Sequence, residues 1–133
     1  MTGIAFPAPD PAILARKPAI VAGLRRLVAA PDAVIDDPVE LAPYETDAFT
    51  AYRRLPLAVV LPGSTEEVSR VLAYLAREGV PVVPRGAGTS LSGGAIPLED
   101  AVVLGVARMN RVLAIDPANR TAQIGRASCR ERV

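Results

Sequence analysis

Histidine is absent from these 133 residues, and cysteine occurs once, at Cys129. The first absence removes the commonest metal ligand and general base, so the chain supplies neither a histidine-based triad nor a zinc site. A single thiol excludes an internal disulfide. Charge of one sign is also missing: 15 basic residues face 14 acidic ones, a net of +1. Such a balance leaves no electrostatic footprint for nucleic acid or an anionic membrane. No apolar run approaches the roughly 20 residues that cross a bilayer. Residues 1–11 have neither the basic start nor the apolar stretch of an export signal, so a cytoplasmic location is expected. What the chain does have is apolar bulk, with 50% hydrophobic residues, enough for one domain with a real core.

Its 13 prolines fall mostly where elements should begin or end, where a fixed φ is harmless. Residues 1–17 are expected to be a loosely ordered lead-in. Between Pro18 and Pro31, the spacing of Ile20, Val21, Leu24, Leu27 and Val28 predicts a helix with Arg25 and Arg26 turned to solvent. Asp36, Asp37 and Glu40 cluster beyond it but lack the spacing of a calcium loop. Tyr44 to Arg54, YETDAFTAYRR, has no clear period and is expected to lie irregularly on the core, anchored by Tyr44, Phe49 and Tyr52. These stretches make residues 18–55 a helix plus an irregular segment.

Residues 56–123 form the clearest unit. Leu57 to Leu61 is continuously apolar, as a strand covered on both faces would be. Ser64 and Glu67 form an S-x-x-E capping box at a helix start. Val68, Val71, Leu72 and Leu75 supply that helix with a buried stripe, and Gly79 ends it. Val80 to Val83 is the next strand, so the unit is β-α-β with parallel strands and a right-handed crossover. Ala101 to Val106 reads as a third buried strand. Val112 to Asp116 and Arg120 to Ile124 flank a proline turn and read as an antiparallel hairpin. The fold class is therefore α/β (α+β), a small parallel β-α-β sheet with a hairpin.

Between the second and third strands lies PRGAGTSLSGG, Pro84 to Gly94, a dense run of permissive backbone. Its glycines allow close approach of another molecule, Thr89, Ser90 and Ser92 add hydroxyls, and Arg85 adds a charge. Successive N–H groups in such a loop can form a concave nest for an anion such as a pyrophosphate. A dinucleotide fingerprint starting at Gly86 would need glycine at Leu91, and a Walker A motif starting at Gly88 would need lysine at Gly94. Both fail, and Pro97 prevents a helix from starting behind the loop. The alternatives left by the residues themselves are a strand-to-strand phosphate cradle and an idle loop.

PVVPRGAGTSLSGGAIPLED resembles the pyrophosphate loop of FAD-linked oxidases of the p-cresol methylhydroxylase and vanillyl-alcohol oxidase superfamily. Within it, the resemblance is closest to the FAD-binding D subunits of bacterial glycolate oxidases. It runs unbroken from Ala19 to Gln123, through the YE-x-D segment, the PLAVVLP strand and the loop. The resemblance implies the N-terminal half of a two-part FAD-binding domain. It also implies that Pro84, Arg85, Gly86, Ala87, Gly88, Thr89 and Ser90 wrap the FAD diphosphate, with Gly93 and Gly94 closing the loop. The implied chemistry is flavin oxidation of a small 2-hydroxy acid to a 2-oxo acid. Its catalytic residues lie beyond residue 133, so none is assigned here, nor is any metal. Glycolate is the best-matched substrate; D-lactate, D-2-hydroxyglutarate and a non-catalytic nucleotide-binding module remain alternatives. Other glycolate oxidase subunits are the implied protein partners, and they could bring the enzyme to the inner membrane's surface.

Residues 124–133, IGRASCRERV, depart from that family and resemble an in-frame translation of a short-read sequencing adapter. The chain is therefore expected to be an inactive fragment of a longer protein with a non-native tail. Without the tail's three arginines and one glutamate, 12 basic and 13 acidic residues remain, and the only cysteine goes too. The coding DNA decides this: AGATCGGAAGAGC running from the end of the Gln123 codon into that of Ala127 is the expected reading, and any other sequence there sinks it.

Overall fold

Residues 58–60 and 102–104 are apolar at every position, and the structure buries all six because both faces of their sheet are covered. The computed structural model describes residues 6–124; the tail assigned to 124–133 lies, except for Ile124, outside them. The chain forms α1 (Pro11–Ala15), α2 (Lys17–Arg25), β1 (Val34–Ile35), α3 (Pro38–Leu41), a 3-10 turn at Ala42–Tyr44, β2 (Ala58–Val60) and α4 (Thr65–Glu78). It continues with β3 (Val82–Arg85), β4 (Val102–Gly105), β5 (Val112–Asp116) and β6 (Thr121–Ile124).

Four strands make one sheet in the order β1-β2-β4-β3. β2 and β3 run parallel as expected, but each pairs with β4, which lies between them. The third apolar run thus takes the central place, where burial from both sides suits it best. β1 adds an antiparallel edge that the mixed composition of residues 33–42 had hidden. On one face, Ala58, Val60, Val102 and Leu104 pack against Ile20 and Leu24 of α2 and Val71 and Leu75 of α4. On the other, Val59 and Val103 meet Leu41, with Tyr44 beside them. Each such fully buried aliphatic side chain contributes about 1.5–3 kcal/mol.

The expected loose lead-in is corrected over its described part. Asp10 caps α1 through Ala12 N–H at 2.8 Å, and Pro11 begins the helix. Burial of Ile13 and a 2.8 Å bond from Asp10 N–H to the Asp100 carboxylate tie it down. Two of the three clustered carboxylates have partners of their own: Asp37 caps α3, and Asp36 pairs with Arg25 at 2.7 Å.

α4 starts and stops where expected, with Ser64 accepting from Glu67 N–H at 3.2 Å and Gly79 left-handed at φ 68°. Its buried stripe differs, because α2 packs along the side that carries Glu67, Val71 and Leu75 and leaves Leu72 exposed. Glu67 does not return the bond to Ser64 N–H that a capping box implies. Its carboxylate accepts from Gly63 N–H at 2.8 Å and from Ala29 N–H at 2.9 Å, joining the turn after α2 to the start of α4. The Gly63 bond, followed by that to Ala29, outweighs burial and holds its pKa below the ordinary 4.5.

A lowered folded pKa means a contribution present above 4.5 and lost as pH falls through the folded value. Glu67→Gln keeps one acceptor oxygen and is expected to lose about 1–3 kcal/mol at neutral pH. Urea unfolding at pH 7 and in acid checks this: the gap between wild type and variant should shrink below pH 4.5, and an unchanged gap excludes a role for the charge.

Candidate functional site

β3 and β4 lie in parallel register, with Arg85 opposite Gly105, so both strands end at the same edge of the sheet. The chain leaves β3 there and must return the length of the sheet before entering β4 beside it. Among the described residues, no helix forms on this return. Residues 86–94 stay at the edge, after which Ala95, Ile96 and Pro97 are buried on the way back. Parallel sheets bind ligands at this carboxyl edge, where the connections leave.

A cavity of about 330 Å³ opens within the loop, lined by Pro84, Gly86, Ala87, Gly88, Thr89, Ser90, Gly94 and Ala95. That volume is near the lower end of small-molecule sites, which run from roughly 300 to 1,000 Å³, and suits part of a larger ligand. Among the described residues, the N–H groups from Ala87 to Leu91 donate to no other group of the chain. No acidic side chain lines the wall. Gly88 is left-handed at φ 72°. A Cβ added to Gly86 would meet no atom within 4 Å, so the cavity reaches the main chain itself. Ser90 Oγ accepts from Ser92 N–H at 3.3 Å and keeps its own hydrogen to donate. Free N–H groups, hydroxyls and open backbone suit an anion held without a helix dipole.

Of the predicted site residues, Pro84, Gly86, Ala87, Gly88, Thr89, Ser90 and Gly94 come together around this cavity. Arg85 and Gly93 do not line it. The Arg85 guanidinium donates to Thr46 O at 2.7 Å and Pro43 O at 3.2 Å, and it lies 5.5 Å from the centre of the Tyr44 ring. A Cβ on Gly88 would overlap that guanidinium. Gly93, left-handed at φ 75°, faces Ile96 and Phe49 instead.

Asp47, the aspartate of the YE-x-D segment, is given no role by its motif. It is 5% exposed, and its carboxylate accepts from Phe49 N–H at 2.9 Å and from Ala95 N–H at 3.3 Å. The first bond is a local Asx turn, foreshadowed by an aspartate in an irregular segment. The second spans 48 positions in sequence, and nothing local signals it.

A larger cavity, about 460 Å³, lies between the start of α4 and the hairpin, with Ser64, Arg108, Leu113 and Ile124 among its walls. Ser64 caps α4 and Arg108 pairs with Asp32 at 2.6 Å, although the buried Arg108 Nε has no hydrogen-bond partner among the described residues. It offers no series of free donors comparable to the loop's. No group of three or more His, Cys, Asp or Glu side chains among the described residues is arranged to hold a metal ion. No helix among them is long and apolar enough to cross a membrane.

Comparison with known proteins agrees with this geometry. A family model described as an FAD binding domain matches residues 56–128. Glycolate oxidase subunit GlcD of Escherichia coli strain K12 is 53% identical over 85 residues, covering 64% of this chain and 17% of that protein. D-2-hydroxyglutarate dehydrogenase of Xanthomonas citri pv. viticola is 38% identical over 88 residues, 66% of this chain and 19% of that protein. In structure, p-cresol methylhydroxylase with substrate bound superposes with a TM-score of 0.66 at 21% identity, covering 83% of this chain and 21% of that one. The chain therefore spans less than a fifth of these two curated relatives.

Proposed function

This chain belongs to the FAD binding domain family and shares the fold of p-cresol methylhydroxylase, and from that membership we propose that its glycine loop holds the FAD diphosphate in a flavin-dependent 2-hydroxy-acid dehydrogenase. The observation that carries the proposal is a cavity at the carboxyl edge of parallel strands, walled by a loop whose N–H groups from Ala87 to Ser90 have no partner among the described residues. A diphosphate needs several donors converging on adjacent oxygens, and it tolerates no carboxylate in the wall. Thr89 and Ser90 add hydroxyl donors, while Gly86 and Gly88 let the phosphates approach the backbone. Pro84, Ala87 and Gly94 shape the wall. Arg85 and Gly93 serve from behind it, through their contacts with residues 43–49. Residues 56–123 act as the diphosphate-binding part of the domain.

Bound FAD supplies the capacity to accept a hydride equivalent from the carbon bearing the substrate hydroxyl. This part of the chain contributes binding and orientation. The cradle holds the cofactor by its diphosphate, so the flavin's distance from the substrate is set from the cradle outward. The substrate's carboxylate and hydroxyl are met by residues outside this chain.

Glycolate is the proposed substrate, supported by the 53% identity to the Escherichia coli glycolate oxidase subunit. D-2-hydroxyglutarate is the second reading, favoured by the similarity to the Xanthomonas dehydrogenase. Other subunits of a glycolate oxidase are the proposed protein partners. The full-length gene product should carry flavin absorbance that bleaches anaerobically with glycolate; bleaching with D-2-hydroxyglutarate or D-lactate alone reassigns the substrate, and a colourless protein that takes up no FAD removes the enzyme reading.

Gly86→Val places a branched side chain in open space, without positive φ or a clash. It should leave thermal stability within about 0.5 kcal/mol, as for unstrained surface changes, yet abolish FAD retention. Gly88→Val should also lose FAD, with a further cost of about 1–3 kcal/mol from strain at φ 72°. Retention of FAD by Gly86→Val would falsify the cradle.

A further inference from the structure

A loop rich in glycine is easily bent, and an anion nest works only if its N–H groups already converge before the ligand arrives. Something outside the loop must therefore hold it. Both of its ends are tied to one short stretch, residues 43–49. At the entry, Arg85 donates to Pro43 O at 3.2 Å and Thr46 O at 2.7 Å. At the exit, Asp47 accepts from Ala95 N–H at 3.3 Å.

Resting on the cradle reading above, we propose that Asp47 is a positioning residue for the diphosphate site, fixing the exit of the glycine loop while Arg85 fixes its entry. Asp47 is 5% exposed and Ala95 6%, so water cannot readily replace the bond between them. Loss of the carboxylate would leave a buried N–H without a partner, which the loop can relieve only by moving. The second carboxylate oxygen accepts from Phe49 N–H at 2.9 Å. The Phe49 ring carbon Cδ1 lies 3.7 Å from where a Cβ on Gly93 would be. One carboxylate thus sets two contacts with the loop, directly at Ala95 and through Phe49 at Gly93. Asp47 is not part of the cavity wall, and both of its oxygens accept from backbone N–H groups.

The test uses the full-length protein freed of flavin, as wild type, Asp47→Ala, Asp47→Asn and Gly86→Val. Hydrogen exchange is followed by peptide, and FAD affinity by fluorescence titration. Asp47→Ala should speed exchange in residues 86–96 while leaving 58–60 and 102–105 unchanged, and should weaken FAD binding about tenfold, which corresponds to one buried bond. Asparagine retains one acceptor oxygen, so Asp47→Asn should fall between wild type and alanine in both readouts. Gly86→Val should exchange as wild type yet bind no FAD. Wild-type exchange and affinity in Asp47→Ala, with FAD binding lost in Gly86→Val, overturns the positioning role and leaves the cradle standing. Faster exchange across β2 and β4 as well, in both Asp47 variants, also overturns it, since Asp47 would then support the fold as a whole. Wild-type FAD affinity in Gly86→Val overturns the cradle and the positioning role together.

Discussion

The return of the chain from β3 to β4 is the constraint from which the rest follows. These strands are parallel neighbours, so residues 86–101 must travel from one edge of the sheet back to the other. In most α/β units a helix makes that journey and satisfies its own N–H groups. Here Pro97 and the surrounding glycines deny a helix, and the chain lingers at the edge. Its N–H groups from Ala87 to Leu91 donate to no carbonyl of the described residues. The cavity is thus a consequence of topology: a connection that cannot pair with itself leaves backbone donors without partners at the sheet's edge.

Such a connection would be shapeless unless it were held. The irregular segment between α3 and β2 supplies that support, which gives a purpose to a stretch with no helical or strand period. Its aromatic residues behave partly as packing anchors, with Tyr44 against the sheet and Phe49 and Tyr52 tilted together at 5.8 Å between centroids. Its polar atoms matter as much. The carbonyls of Pro43 and Thr46 receive the Arg85 guanidinium, which explains why the loop's one cation is absent from the cavity wall. In the proposed cradle, the donors are then backbone N–H groups and hydroxyls.

Much of the fold was legible because its signals are local. The S-x-x-E box, Gly79 and the apolar runs each follow from the nearest few residues, and the structure places α4, β2, β3 and β4 within about a turn of expectation. The misreadings have a common origin. Leu72 was assigned to the buried stripe because periodicity gives a face but not which neighbour covers it, and α2 chose the side with Glu67. β1 is two residues long, too short to show a period. α1 has a local start signal in Asp10 and Pro11, but at five residues it is too short to show a helical period, and its anchor, Asp100, lies 90 positions from Asp10.

By itself the sequence determined the parallel β-α-β unit, the place of the glycine loop after a strand, and the failure of the two common nucleotide fingerprints, because glycine, proline and apolar spacing act through local sterics and burial. Only the tertiary structure decided that β4 lies between β2 and β3, that Arg85 turns to residues 43–46, and that Asp47 reaches Ala95. Those outcomes depend on which distant groups can satisfy one another's hydrogen bonds once water is excluded, and no short stretch of sequence encodes that.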